Sequence, residues 1–250
     1  MTRETTRRMF AGSVLAVVLA IAAGSSTSAL AQTSPSPDET GRDAFLGDCA
    51  YCHGSDAAGT NRGPDLRDVG PASVDFMLST GRMPITYQTD DPERRPPDYY
   101  HDEIDAIVAY IATFQTGGPA VPHVDLASAD LAEGNALYTE NCAACHSSAG
   151  IGAALTSGRV APSLLAATPT QIAEAIRTGP GTMPVFGSDT LSDQQMAAIV
   201  RYVVEIQHPD NRGGAALGAI GPITEGLVAA ALGLVVLLVI TRVIGSTADE

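Results

Sequence analysis

With 28 acidic residues against 14 basic ones over 250 positions, every basic one an arginine, the chain carries a formal net charge of −14. That balance excludes a protein that tracks a phosphate backbone, which needs a basic stripe, so no nucleic-acid partner is expected. Between Gln32 and Glu225 the 25 acidic residues outnumber 10 arginines, a net of −15 that suits either solubility or salt-dependent steering of a basic partner.

In chain order, the first feature is Arg3, Arg7 and Arg8 followed by an uncharged stretch from Met9 to Ala23 and a small-x-small site at Ala29-Leu30-Ala31. Residues 1–31 read as a secretory signal, or alternatively as an uncleaved N-terminal anchor. Thr6-Arg7-Arg8-Met9-Phe10 also has a twin-arginine look.

A short helical stretch with Gly41 and Phe45 then leads into Cys49-Ala50-Tyr51-Cys52-His53. Downstream come Pro64-Asp65-Leu66, then Thr80-Gly81-Arg82-Met83-Pro84, then a loop over Ile85–His101 rich in Pro, Asp, Arg and Tyr. Ile104, Ile107, Val108 and Ile111 fall at i, i+3, i+4, i+7 and predict a helix with one apolar face, for which Asp102 is a candidate cap. Thr116-Gly117-Gly118-Pro119-Ala120-Val121-Pro122 is expected to stop that helix and begin a linker.

The same series then recurs. Gly134 and Tyr138 precede Cys142-Ala143-Ala144-Cys145-His146; Pro162-Ser163-Leu164 and Thr182-Met183-Pro184 follow. A second stripe, Met196, Ile199, Val200 and Val203, opens with the capping-box signature Ser192-x-x-Gln195. The first cysteines of the two motifs lie 93 residues apart, and Tyr110 and Tyr202 of the two stripes lie 92 apart. One domain is written twice, with eight extra residues in the first copy between its Met and its helix Tyr. Those extra residues fall in 85–101, either a solvated insertion or a docking loop.

Cys-x-x-Cys-His is the attachment signature of c-type haem. Two cysteines three apart reach both vinyl groups of one porphyrin, and the next histidine is placed under the iron. Cys49 and Cys52 are the candidate thioether anchors of one haem, Cys142 and Cys145 of the other, with His53 and His146 as proximal iron ligands. A thioredoxin-like site needs no following His, a zinc site usually spaces its cysteine pairs by about 15–20 residues, and two disulfides would make both histidines coincidental. Met83 and Met183, each followed by Pro at matching places, are the candidate distal ligands; thioether sulfur favours ferrous iron and fills the sixth position, as electron transfer requires. His101, His123 and His208 are the rivals for bis-His ligation, and Met77 and Met196 read as core filler.

Each repeat of about 80 residues is small for an apolar core, a shortage a covalently held porphyrin would remedy. Neither half shows a convincing period-2 strand pattern, so the fold class is all-α. After a join over 211–221, residues 222–244 form an apolar stretch long enough to cross a membrane, with Arg242 at its far rim and a short tail, 245–250, expected on the cytoplasmic side; a buried core helix is the other reading.

From Gly41 to Gln207, twice over, these residues resemble class I cytochrome c domains. The resemblance implies domains at 35–117 and 128–210 joined by a linker at 118–127, with the Gly41/Phe45 helix crossing the Tyr110 helix and the Gly134 helix crossing the Tyr202 helix. It also implies that the carbonyls of Pro64 and Pro162 accept hydrogen bonds from the proximal histidines. The order of parts (export signal, two such domains, one C-terminal membrane helix) is similar to the dihaem cytochrome c subunit of actinobacterial-type cytochrome bc complexes. That resemblance implies a relay in the plasma membrane, with the haem domains outside. Electrons from menaquinol would pass by way of the Rieske iron–sulfur protein, beside a cytochrome b subunit, to the copper centre of an aa-type oxidase. The chain would then be one subunit of a quinol–cytochrome c reductase, and by itself an electron carrier. The alternatives are an anchored dihaem subunit of a dehydrogenase or another oxidase, and a dihaem peroxidase, which would need an open sixth position.

Overall fold

The computed structural model describes residues 36–87, 92–209 and 222–247. The expected signal (1–31) and the join at 211–221 lie outside the described residues.

The first repeat opens with α1 (Pro37–Ala44), which runs on through a π-helical turn at Phe45–Cys49 into α2 (Ala50–His53). Then come α3 (Pro71–Ser79) and α4 (His101–Ala112). The second repeat has α5 (Leu131–Asn141), α6 (Ala143–His146), α7 (Pro169–Thr178) and α8 (Asp193–Gln207). Each first helix packs across each last one, α1 on α4 and α5 on α8.

The crossing points are glycines, and the reason is distance. A Cβ on Gly41 would lie 2.0 Å from the Ala106 carbonyl oxygen, and one on Gly134 would lie 2.0 Å from that of Ala198. Aromatics fill the space beside each crossing. Phe45 meets Tyr110 with centroids 5.6 Å apart and Phe114 at 6.2 Å, while Tyr138 meets Tyr202 at 5.2 Å. Two separate apolar cores result, one around Phe45, Leu78, Ile104, Ile107 and Ile111, the other around Tyr138, Ile172, Ile176, Ile199 and Val203.

Helix ends follow local chemistry. Ser192 and Gln195 form the expected reciprocal cap: Ser192 Oγ accepts from Gln195 N at 3.2 Å, and Gln195 Oε1 from Ser192 N at 3.0 Å. The first stripe is capped differently from expectation. Tyr100 occupies the N-cap, and its N–H donates to Glu103 Oε2 at 2.8 Å, so Asp102 falls within the first turn as a favourable charge at the positive helix end. Likewise α4 ends at Ala112, before Gly117 is reached. Gly118 serves closeness rather than termination: a Cβ on Gly70 would fall 2.5 Å from its carbonyl carbon, and Ala72 N donates to Pro119 O at 3.0 Å.

The second repeat also contains a feature absent from the sequence reading, an antiparallel ribbon of β1 (Ala153–Ala154) and β2 (Val160–Ala161). Two-residue strands carry no periodicity to detect, and the architecture remains helical. The two repeats meet through their equivalent helices, α3 on α7.

The last helix, α9 (Pro222–Thr247), contains the apolar span Gly226–Gly245, 20 residues of mean hydropathy 2.7 with none of it buried. It is long and apolar enough to cross a membrane.

Candidate functional site

Two cavities hold the residues singled out by sequence. The first, a cleft of about 710 Å³, is lined by Cys49, Cys52, His53, Pro64 and Met83. The second, about 230 Å³, is lined by Cys142, Cys145, His146, Pro162 and Met183.

The π-helical turn that ends at Cys49 and the short α2 bring both thiols and the imidazole of the first motif to the lining of its cleft. His53 Nδ1 lies 2.8 Å from Pro64 O, and His146 Nδ1 lies 3.0 Å from Pro162 O. A carbonyl can only accept, so Nδ1 donates and Nε2 is left with the lone pair that a metal needs. The surrounding backbone is fixed as well: Thr60 Oγ1 donates to Cys52 O at 2.6 Å, and Tyr138 Oη to Ser147 O at 2.7 Å.

Each methionine stands on a loop held by an arginine. In the first repeat Arg95 donates to Gly81 O at 3.1 Å and to Pro84 O at 2.7 Å, either side of Met83. In the second, Arg177 donates to Phe186 O at 2.9 Å and Leu191 O at 2.7 Å, just past Met183, and pairs with Asp193 at 2.6 Å. The insertion at 85–101 is therefore tied down over its described part: Tyr99 Oη also donates to Asp48 Oδ2 at 2.6 Å, beside the first cysteine.

Burial, reinforced by Asp48, pushes the Cys49 thiol up to about 11, and burial does the same for Cys142. The residues present fit haem c: at each cavity there are two thiols, an imidazole oriented through Nδ1 and a thioether sulfur.

The rival histidines line neither cavity: His101, His123 and His208 are all exposed. Met196 is core filler at 1 % exposure, but Met77, which sequence assigned the same role, is half-buried and lines the second cavity. With it come Phe76, Thr80, Arg82, Pro92 and Arg94, all from the first repeat. Sequence reasoning missed these residues. The available signal was the break in the repeat where Arg82 stands before Met83 but Thr182 before Met183.

Comparison with known proteins agrees with this geometry. Residues 39–115 match the family model described as "Cytochrome c", and residues 129–203 match "Cytochrome C oxidase, cbb3-type, subunit III". The "Cytochrome bc1 complex cytochrome c subunit" of Mycobacterium tuberculosis is 35% identical over 263 residues, covering 98% of this chain and 94% of that one. Its namesake in Mycobacterium leprae is 38% identical over 84% of this chain and 75% of its own length. The one in Corynebacterium diphtheriae is 34% identical over 83% and 80% respectively. Two cytochrome c domains carrying two covalent haem c groups, followed by an apolar helix, make this an electron-transfer protein. With near full-length likeness added, the chain belongs to the family of cytochrome bc1 complex cytochrome c subunits.

Proposed function

We propose that this chain is the membrane-anchored dihaem relay of a cytochrome bc complex, carrying electrons from menaquinol oxidation to an aa-type terminal oxidase. The Rieske iron–sulfur protein is the donor at the first site, the oxidase copper centre is the acceptor at the second, and a cytochrome b subunit is a neighbour. The chain is thereby one subunit of a quinol–cytochrome c reductase and, alone, a carrier. The observation that carries this reading is the shared wall between the sites. Met83 lines the first cavity, and the residue before it, Arg82, lines the second.

Bound haem supplies a one-electron couple between ferrous and ferric iron. Cys49 and Cys52, and Cys142 and Cys145, anchor the two groups. His53 and Met83 hold one iron, His146 and Met183 the other. The Pro64 and Pro162 carbonyls set imidazole orientation and basicity. Residues 35–117 and 128–210 form the two domains outside the plasma membrane, a signal at 1–31 directs export, and α9 anchors them with its C-terminal end in the cytoplasm. Anchoring keeps the effective concentration at a neighbouring acceptor high.

Co-purification from detergent-solubilised membranes tests the assignment. Cytochrome b, Rieske and oxidase subunits identified by mass support it; a dehydrogenase in their place overturns it.

A further inference from the structure

The second cavity belongs to both repeats. Its lining from the second repeat contains the thiols, the imidazole, the methionine and otherwise apolar or neutral polar side chains. Its lining from the first repeat contains Arg82 and Arg94, and these are the only Arg, Asp or Glu side chains on the wall among the described residues. Two guanidiniums on the wall of one cavity suit an occupant that carries carboxylates.

We propose that the first domain completes the second haem site, with Arg82 and Arg94 holding the two propionate carboxylates of that haem. Both side chains are prepositioned. Arg82 is half-buried and lies over the Phe76 ring, 4.9 Å from guanidinium carbon to centroid, a stacking that orients its planar fork. Arg94 reaches from the insertion loop into the second repeat, where Nη2 donates to Ala166 O at 2.8 Å and Gln171 Oε1 at 3.0 Å. Those contacts use one of its three nitrogens and fix the group beside the cavity. A guanidinium fork matches a carboxylate in geometry and charge, and the number of arginines equals the number of propionates on one haem.

The electrostatic consequence has a definite sign. Cations that neutralise the propionates stabilise ferrous over ferric iron, so they raise the second haem's reduction potential. Because Arg82 adjoins Met83, the first domain sets the potential of the haem it faces as well as its own. This inference requires haem at the second site. A count of two haems per chain by pyridine haemochrome therefore separates its failure from failure of the cofactor assignment.

The test is a spectroelectrochemical redox titration of the full chain in detergent, with the second wave assigned by the drop that Met183→His produces. Arg82→Gln and Arg94→Gln each lower the second wave and leave the first in place. The double substitution lowers it further and makes it pH-dependent as the released propionates titrate, and Arg82→Lys restores most of the loss. An unmoved second wave in Arg82→Gln and Arg94→Gln, with both haems present, overturns the proposal. So does a shift confined to the first wave, which would place Arg82 in the service of Met83 alone. Arg94 stands on an exposed loop, so Arg94→Gln decides the matter should the double variant fail to fold.

Discussion

Gln171 of the second repeat donates its side-chain amide to the backbone carbonyl of Ser79 in the first, at 3.0 Å. Its Oε1 accepts at the same time from Arg94 Nη2 at 3.0 Å and from Thr168 N at 3.2 Å. One buried side chain thus caps its own helix and fastens two repeats together. Gln171→Ala strands several of these partners. It should cost about 2 kcal/mol of stability and speed amide exchange along α3 and α7, read by hydrogen exchange with mass spectrometry.

Gly41→Ala and Gly134→Ala test the helix crossings. Each new methyl would meet backbone, at 2.0 Å from Ala106 O or Ala198 O, so the helices themselves must part. A loss of about 2 kcal/mol or more is expected for each. Thermal unfolding of the holoprotein measures it, and Gly47→Ala, with nothing within 4 Å, serves as the harmless control.

A pH response should come from Glu174, which is wholly buried on α7 at the meeting of the two repeats. Burial first, and the Asp75 carboxyl across the interface second, push it from 4.5 up to about 10. The folded chain therefore keeps a proton that the unfolded chain releases. Stabilisation is complete below pH 4.5 and is lost progressively as pH rises toward 10. At about 1.4 kcal/mol per pH unit, the cost at pH 7 is on the order of 3 kcal/mol. Glu174→Gln should flatten this slope and raise stability at neutral pH, as chemical denaturation between pH 5 and 9 would reveal; an unchanged slope would contradict the assignment.

Met183→Ala and Met83→Ala should each remove about half of the weak sulfur-to-iron band at the red edge of the oxidised spectrum, and each should lower one of the two potentials. Loss of neither band nor potential would reopen histidine ligation.

Much of this was legible in the residues. The two Cys-x-x-Cys-His motifs, the glycine and aromatic of each crossing and the two apolar stripes all state local requirements, and local requirements leave a local mark. The Tyr100–Glu103 cap escaped because Asp102 is the better capping residue by type, and only register shows that it falls inside the helix. The placement of Met77, Arg82 and Arg94 escaped for a different reason. Their meaning depends on α3 packing against α7, a contact between segments about a hundred residues apart that no window of sequence contains.

The borrowed wall of the second cavity bears on how such proteins can be taken apart. A fragment beginning after Gly118 would retain its thiols, its imidazole and Met183, yet face solvent where Phe76, Met77 and Arg82 now stand. On the proposed reading, grafting that fragment elsewhere would transfer the chromophore without the two guanidiniums that set its potential.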